Sequence, residues 1–248
     1  MPYFVNEGHR LFYREQGSGA PLLLLPGNTS ASPHLAGEMA YFSNRFHSAA
    51  LDFWGTGQSE RVFPWPVDWF QQAGRDAAAL VEQLGAGPAV LIGTSGGAVA
   101  ALWAAIQNPG AVRAVVFDSG QLGLPPATAA NLASTRRLDD PLAAEFWKSA
   151  HGEDWGSVVQ ADTAMLQRLG QQGGGFFDER VSSVACPVLI TASLSDDMIA
   201  DAGGQALKLS EMLPNSQVYL HRRGGHPLMW SQPEAFHRAV DAFLAGLA

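Results

Sequence analysis

Val90-Leu91-Ile92-Gly93-Thr94-Ser95-Gly96-Gly97-Ala98-Val99-Ala100-Ala101-Leu102 is the stretch on which the fold turns. An apolar run that reads as a buried strand stops at a Gly-x-Ser-x-Gly turn, and an alanine-rich helical pattern follows at once. A turn this sharp predicts Ser95 in a strained, positive-φ conformation at the strand tip. Gly93 and Gly97 stand two residues either side, where a side chain would collide with the packed strand and helix. The Ser95 hydroxyl is expected to project past the carboxyl edge of a sheet. The Gly96 amide opens the new helix, where its N–H and the helix dipole favour a developing anion. A Ser/Gly loop that merely closes a strand would carry the same letters; strand before and helix after point to a nucleophile.

Outward from this turn, short apolar strands alternate with helical patterns. Tyr3-Val5 and Arg10-Glu15 read as a hairpin, and Leu22-Leu25 as a parallel strand covered on both faces. Helical spacing runs from Leu35 to Asn44, and His47-Leu51 is the next strand, entering the glycine turn Asp52-Phe53-Trp54-Gly55-Thr56-Gly57. A helix is expected over Asp68–Leu84, with Phe70, Ala73, Ala77, Leu80, Val81 and Leu84 on one stripe. Val112-Phe117 is a strand ending at Asp118. Gln121 to Glu179 then shows helix-like pieces and no convincing strand. Strand logic resumes at Val188-Thr191 and Val218-Leu220, with helices near Ala202–Leu213 and Pro233–Leu247. Repeated β-then-α units predict an α/β fold with a mostly parallel sheet, interrupted by a helical insertion.

The chain has 248 residues, 47% hydrophobic and 15% charged, enough for one large core. A net charge of -8 disfavours a nucleic-acid surface and offers no basic anchor for anionic membranes. No signal peptide or transmembrane stretch is read, so a cytoplasmic location is expected. The single cysteine, Cys186, precedes Pro187 at the head of an apolar strand and reads as a structural thiol.

A serine hydroxyl needs a base to take its proton, and the base needs an orienting acid. Of seven histidines, His226 lies in the glycine-flexed loop Arg223-Gly224-Gly225-His226-Pro227 after the last strand, on the expected carboxyl edge. Asp196 follows the Val188-Thr191 strand and is the expected acid. Adjacent Asp197 is one register step away, and Asp118 ends a neighbouring strand; both stay open as alternatives. Asp52 reads as a carboxylate that accepts amide hydrogen bonds in its own turn. A second oxyanion donor beside Gly96 is expected from the backbone N–H of Asn28, whose side chain either adds another donor or holds the turn. Phe146, Trp147 and Trp155 in the insertion line an apolar pocket or pack it onto the core. No metal or cofactor is called for: the chain has no His-Glu-x-x-His, paired cysteines, P-loop or Gly-x-Gly-x-x-Gly opening a helix.

Together, Pro26-Gly27-Asn28, Asp52-x-x-Gly55-x-Gly57-x-Ser59, Gly93-Thr94-Ser95-Gly96-Gly97, Asp196 and Gly225-His226 resemble the α/β-hydrolase fold family over nearly the whole chain. The order Ser95, Asp196, His226 matches the family's order of nucleophile, acid and base. The resemblance implies an eight-stranded sheet (core residues 1–120 and 180–248) and a helical cap over residues 121–179. Pro26-Gly27-Asn28-Thr29-Ser30 resembles the oxyanion loop of haloalkane dehalogenases, but those use an Asp where this chain has Ser95. What the resemblance implies is a serine hydrolase of a small carboxylic ester, thioester or lactone. Carbon–carbon bond hydrolases, cofactor-free perhydrolases and a non-enzymatic ligand receptor on the same fold stand behind it. The expected partner is a small-molecule ester substrate, with no nucleic acid and no membrane.

Overall fold

Eight strands form one sheet in the order β1-β2-β4-β3-β5-β6-β7-β8, in a computed structural model that describes residues 2–247. The strands are β1 (Tyr3–Asn6), β2 (His9–Gln16), β3 (Pro21–Leu25), β4 (His47–Asp52), β5 (Ala89–Thr94), β6 (Val112–Asp118), β7 (Val188–Ser193) and β8 (Ser216–His221). β2 pairs antiparallel with both β1 and β4, and every other pairing is parallel. Five parallel pairings in a row demand crossovers, and these are supplied by helices.

Side-chain alternation along the strands sorts those helices onto two faces. Leu23, Leu25, Leu91, Val115 and Ile190 point to the face covered by α2 (Trp69–Leu84) and α3 (Gly96–Gln107). Leu22, Leu24, Val90, Ile92 and Val116 point to the other, where α1 (Ala36–Phe42) contributes Met39 and Phe42 and α9 (Pro233–Ala245) contributes Phe236, Val240 and Phe243. Burial on both faces is why these strands are continuously apolar. Phe70, Ala73, Ala77, Leu80 and Val81 of the α2 stripe are buried as their spacing predicted, and Leu84 at its end is partly buried.

Most element ends lie within a residue or two of the sequence reading, and two differences have a local cause. The helix expected from Leu35 begins as a 3-10 turn over Ser32–Leu35, initiated by Pro33, before α1 starts at Ala36. The last helix starts at Pro233 as read, but a short α8 (Leu228–Ser231) absent from that reading precedes it, separated from α9 because Pro233 fits only a helix's first turn.

Between β6 and β7 the chain leaves the sheet and forms α4 (Pro126–Thr135), α5 (Pro141–His151) and α6 (Trp155–Gln171); α7 (Ala202–Met212) follows β7. α5 starts where the Asp140 carboxylate accepts from the Leu142 and Ala143 amides and Pro141 occupies the first turn. Among the inserted residues one isolated antiparallel bridge joins Gly123 to Gly175. No helix among the described residues is long and apolar enough to cross a membrane.

Candidate active site

β5 delivers Ser95 and α3 begins on the next residue. Ser95 has φ 53° and ψ −122°, the left-handed strain predicted for a serine at the tip of such a turn. Close packing holds it there. A Cβ on Gly93 would run into the Gly97 carbonyl, and one on Gly97 into the carbonyls of Leu25 and Pro26. The Ser95 amide donates to the Asp118 carbonyl at 2.8 Å, pinning the bend to β6.

His226 reaches the same place from the loop after β8. Its backbone N–H donates to Asp197 Oδ1 (2.8 Å), and the Ser193 and Ser231 hydroxyls hold the Gly224 and Gly225 carbonyls. Its Nδ1 lies 3.0 Å from Asp196 Oδ2, with the His226 side chain 8% exposed and that of Asp196 sealed at 0%. The other Asp196 oxygen accepts the Met198 and Ile199 amides at 2.9 and 2.8 Å. Burial opposes charge on Asp196, but the His226 hydrogen bond and charge, with those two amides, outweigh it and hold the carboxyl below its ordinary range. An ionised carboxylate only accepts, so Nδ1 of His226 carries the proton and Nε2 is left as the basic nitrogen.

The two alternative acids do other work. Asp197 orients the backbone of the histidine loop. Asp118, fully buried, accepts from the Thr191 and Thr94 hydroxyls at 2.7 and 2.9 Å and from the Met229 amide. Burial pushes its carboxyl up to about 6 against those hydrogen bonds. Asp52 binds the Ser32 and Gln58 amides at 2.7 and 2.8 Å, the turn-holding role read from its surroundings.

Ser95, Gly96, Asn28 and His226 line one cavity of about 530 Å³. The amides of Gly96 and Asn28 have no acceptor among the described residues. They are close neighbours: a Cβ on Gly96 would stand 3.3 Å from the Asn28 nitrogen. The Asn28 side chain is committed elsewhere, its Nδ2 donating to Asp162 Oδ1 of α6 at 2.5 Å. Of the three aromatic residues singled out in the insertion, Phe146 and Trp147 line the cavity. Trp155 does not; it stacks behind Trp147, ring centroids 5.7 Å apart, because it opens the next helix on the far side of that indole.

Sequence reasoning missed a second group, in which the inserted helices grip the loop after β3. Thr29 sits at φ 57°, its hydroxyl donating to the Asn28 carbonyl (2.6 Å) and accepting from Trp147 Nε1 (3.1 Å). His151, buried at the end of α5, accepts from the Gly57 amide on Nδ1 (2.9 Å), so its proton is on Nε2, directed at the Thr29 carbonyl 3.1 Å away. Burial holds its ring down to about 4. Partners more than ninety residues apart leave no local signal.

A model of the Alpha/beta hydrolase family matches residues 22–239. The chain is similar to the "Putative carbamate hydrolase RutD" of Enterobacter cloacae subsp. cloacae, 26% identical over 92% of this chain and 93% of that protein. It is also similar to the 2-hydroxymuconate semialdehyde hydrolase of Pseudomonas putida, 27% identical over 96% of this chain and 92% of the relative. Among solved structures it superposes on the meta-cleavage product hydrolase of Pseudomonas fluorescens IP01 with a TM-score of 0.80, at 18% identity, covering 100% of this chain and 98% of that one. The match spans the sheet from its first parallel strand through the loop that carries His226, and on that ground the chain belongs to the alpha/beta hydrolase family.

Proposed function

We propose that this protein is a serine hydrolase that cleaves a small carboxylic ester, thioester or lactone through an acyl-enzyme intermediate. One arrangement supports the reading above all: a positive-φ serine at a helix start shares a cavity with two amides that have no acceptor among the described residues and with a histidine whose far nitrogen is bound to a sealed carboxylate. Ser95 Oγ attacks the carbonyl carbon while His226 Nε2 takes its proton, and Asp196 stabilises the imidazolium that forms. The Gly96 and Asn28 amides hold the oxyanion, each such donor being worth on the order of a hundredfold or more in turnover. Collapse expels the alcohol or thiol with the proton from His226. The same histidine then deprotonates a water that attacks the acyl carbon and releases the acid. Residues 121–179 serve as a cap that closes the acyl pocket.

The test is direct. A fluorophosphonate should label Ser95 alone, and p-nitrophenyl acetate or butyrate should give product well beyond one equivalent of protein. Ser95→Ala should lose turnover by roughly a millionfold. Labelling of another residue would refute the assignment, and a stoichiometric stop at one equivalent would favour the ligand-receptor alternative. A second reading keeps the same three side chains and replaces the ester with a carbon–carbon bond next to a carbonyl. The similarity to 2-hydroxymuconate semialdehyde hydrolase favours it. Turnover of a vinylogous diketone acid with no turnover of any ester would select it.

A further inference from the structure

Resting on Ser95 as the nucleophile, we propose that Arg136 binds a carboxylate of the substrate, so that the enzyme acts on small acyl compounds carrying a second, ionised acid group. Arg136 follows α4 and lines the cavity that holds Ser95 and His226, its side chain 17% exposed. One nitrogen, Nη1, is tethered at the back of the wall. It donates to the sealed carboxylate of Asp162 and to Thr163 Oγ1 at 3.0 Å. Nε and Nη2 have no partner among the described residues.

A guanidinium has five N–H donors in a fixed plane, and its Nε–Nη2 edge matches the two oxygens of a carboxylate. Leaving that edge unmatched in a mostly enclosed place is costly. Leu124, Leu166 and Phe176 on the cavity wall are apolar, and Asp140, the carboxylate of the lining, is taken up by the Leu142 and Ala143 amides at the start of α5. The other basic groups of the lining are already engaged. Arg137 spends Nε and Nη2 on Asp139, and His226 is bound to Asp196.

The Arg136–Asp162 pair is neutral and the whole chain carries -8, so no broad positive field would draw an anion here. Recognition has to come from directed donors held still, as the tether through Nη1 provides. Asp162 also accepts the Asn28 side chain, so the anchor for the acid group and the loop that presents the Asn28 amide share one buried carboxylate. That gives α6 a reason to place a charge with no exposure at this point.

The experiment compares 4-nitrophenyl monoesters of succinic, glutaric and adipic acid with neutral 4-nitrophenyl esters of the same chain length. For wild-type protein the best hemiester should exceed its neutral match in kcat/KM by about ten- to a hundredfold, the worth of a charge-assisted pair. Arg136→Gln should bring that ratio near one, chiefly by raising KM for the hemiester, and Arg136→Lys should keep part of it. Arg137→Gln should leave the ratio as it is. Succinate, glutarate or adipate should inhibit neutral-ester turnover by wild type competitively, a reading that holds even if an Arg136 variant fails to fold. A wild-type ratio near one with no inhibition by any dicarboxylate would overturn this inference while Ser95 remained labelled by a fluorophosphonate. A ratio lost in Arg137→Gln and kept in Arg136→Gln would overturn it too. Absence of labelling and of all turnover would instead overturn the hydrolase reading beneath it.

Discussion

Asp196 and Asp118 are both buried carboxylates at the ends of adjacent strands, and their surroundings give them opposite characters. Asp196 turns one oxygen to His226 and the other to two amides, a set that favours the charged form. Asp118 has two hydroxyls and an amide for company, and burial pushes it up to about 6. In the proposed mechanism the acid is the carboxylate that touches the imidazole, and the 3.0 Å contact with His226 Nδ1 belongs to Asp196. Asp196→Asn should lower kcat on the order of ten-thousandfold, since an amide that donates to Nδ1 fixes the wrong tautomer. Asp118→Asn should cost far less. Steady-state assays of the two variants side by side check this, and a larger loss for Asp118→Asn would transfer the role. Residue type and chain position made Ser95 and His226 legible, because a strained serine between a strand and a helix has few other uses. Which of three aspartates faces the histidine depends on side-chain directions in a turn, and one residue of register reverses those.

α5 matters to the site less for what it shows the cavity than for what it holds. Trp147 and His151, one helical turn apart, both reach back to Thr29, the positive-φ residue beside Asn28. Stored strain at Thr29 persists only while its neighbours over-determine it, so the inserted helix sets the aim of the Asn28 amide. Trp147→Phe keeps a ring to stack on Trp155 and removes the donor to the Thr29 hydroxyl. We expect kcat for a neutral ester to fall several-fold, with the melting temperature moving by only a few degrees, read by paired kinetics and thermal denaturation. An unchanged kcat would show that Thr29 needs no such support. This layer lay beyond sequence reading for a physical reason. The strands announced themselves by apolar runs and the helices by period, both local signals. A tryptophan that spends its N–H on a loop 118 positions earlier looks, in sequence, like any aromatic packing a helix. The same blindness placed Trp155 beside the cavity when it stands behind Trp147.

For the molecule as a whole, two buried groups pull stability in opposite directions across mildly acidic pH. His151 is held down to about 4 in the fold from an ordinary value of 6.5, so the unfolded chain binds the extra proton between those limits. Its contribution is complete above pH 6.5 and is lost as pH falls towards 4, at up to about 1.4 kcal/mol per unit. Asp118 runs the other way. Raised from 3.8 to about 6, it binds the extra proton in the folded state. Its contribution is complete below 3.8 and is lost as pH rises through 6. Asp76, raised to about 6 by burial on α2, adds to the second effect. Two carboxylates outweigh one histidine, so these three groups together should raise stability as pH falls from 6 to 4, although a buried histidine ordinarily makes a protein acid-labile. The variants separate the terms. Relative to wild type, His151→Gln should gain ground as pH falls from 6.5 to 4, and Asp118→Asn should lose ground over the same interval. Urea denaturation at pH 4.5, 5.5 and 7 measures both differences, and curves for the two variants that shifted in the same direction would show that the charges are placed wrongly. The sign for His151 also carries to the site: protonation at Nδ1 removes the acceptor for the Gly57 amide while Nε2–H keeps donating to the Thr29 carbonyl, so the loop that carries Asn28 loses its tie through His151 to the Gly57 turn.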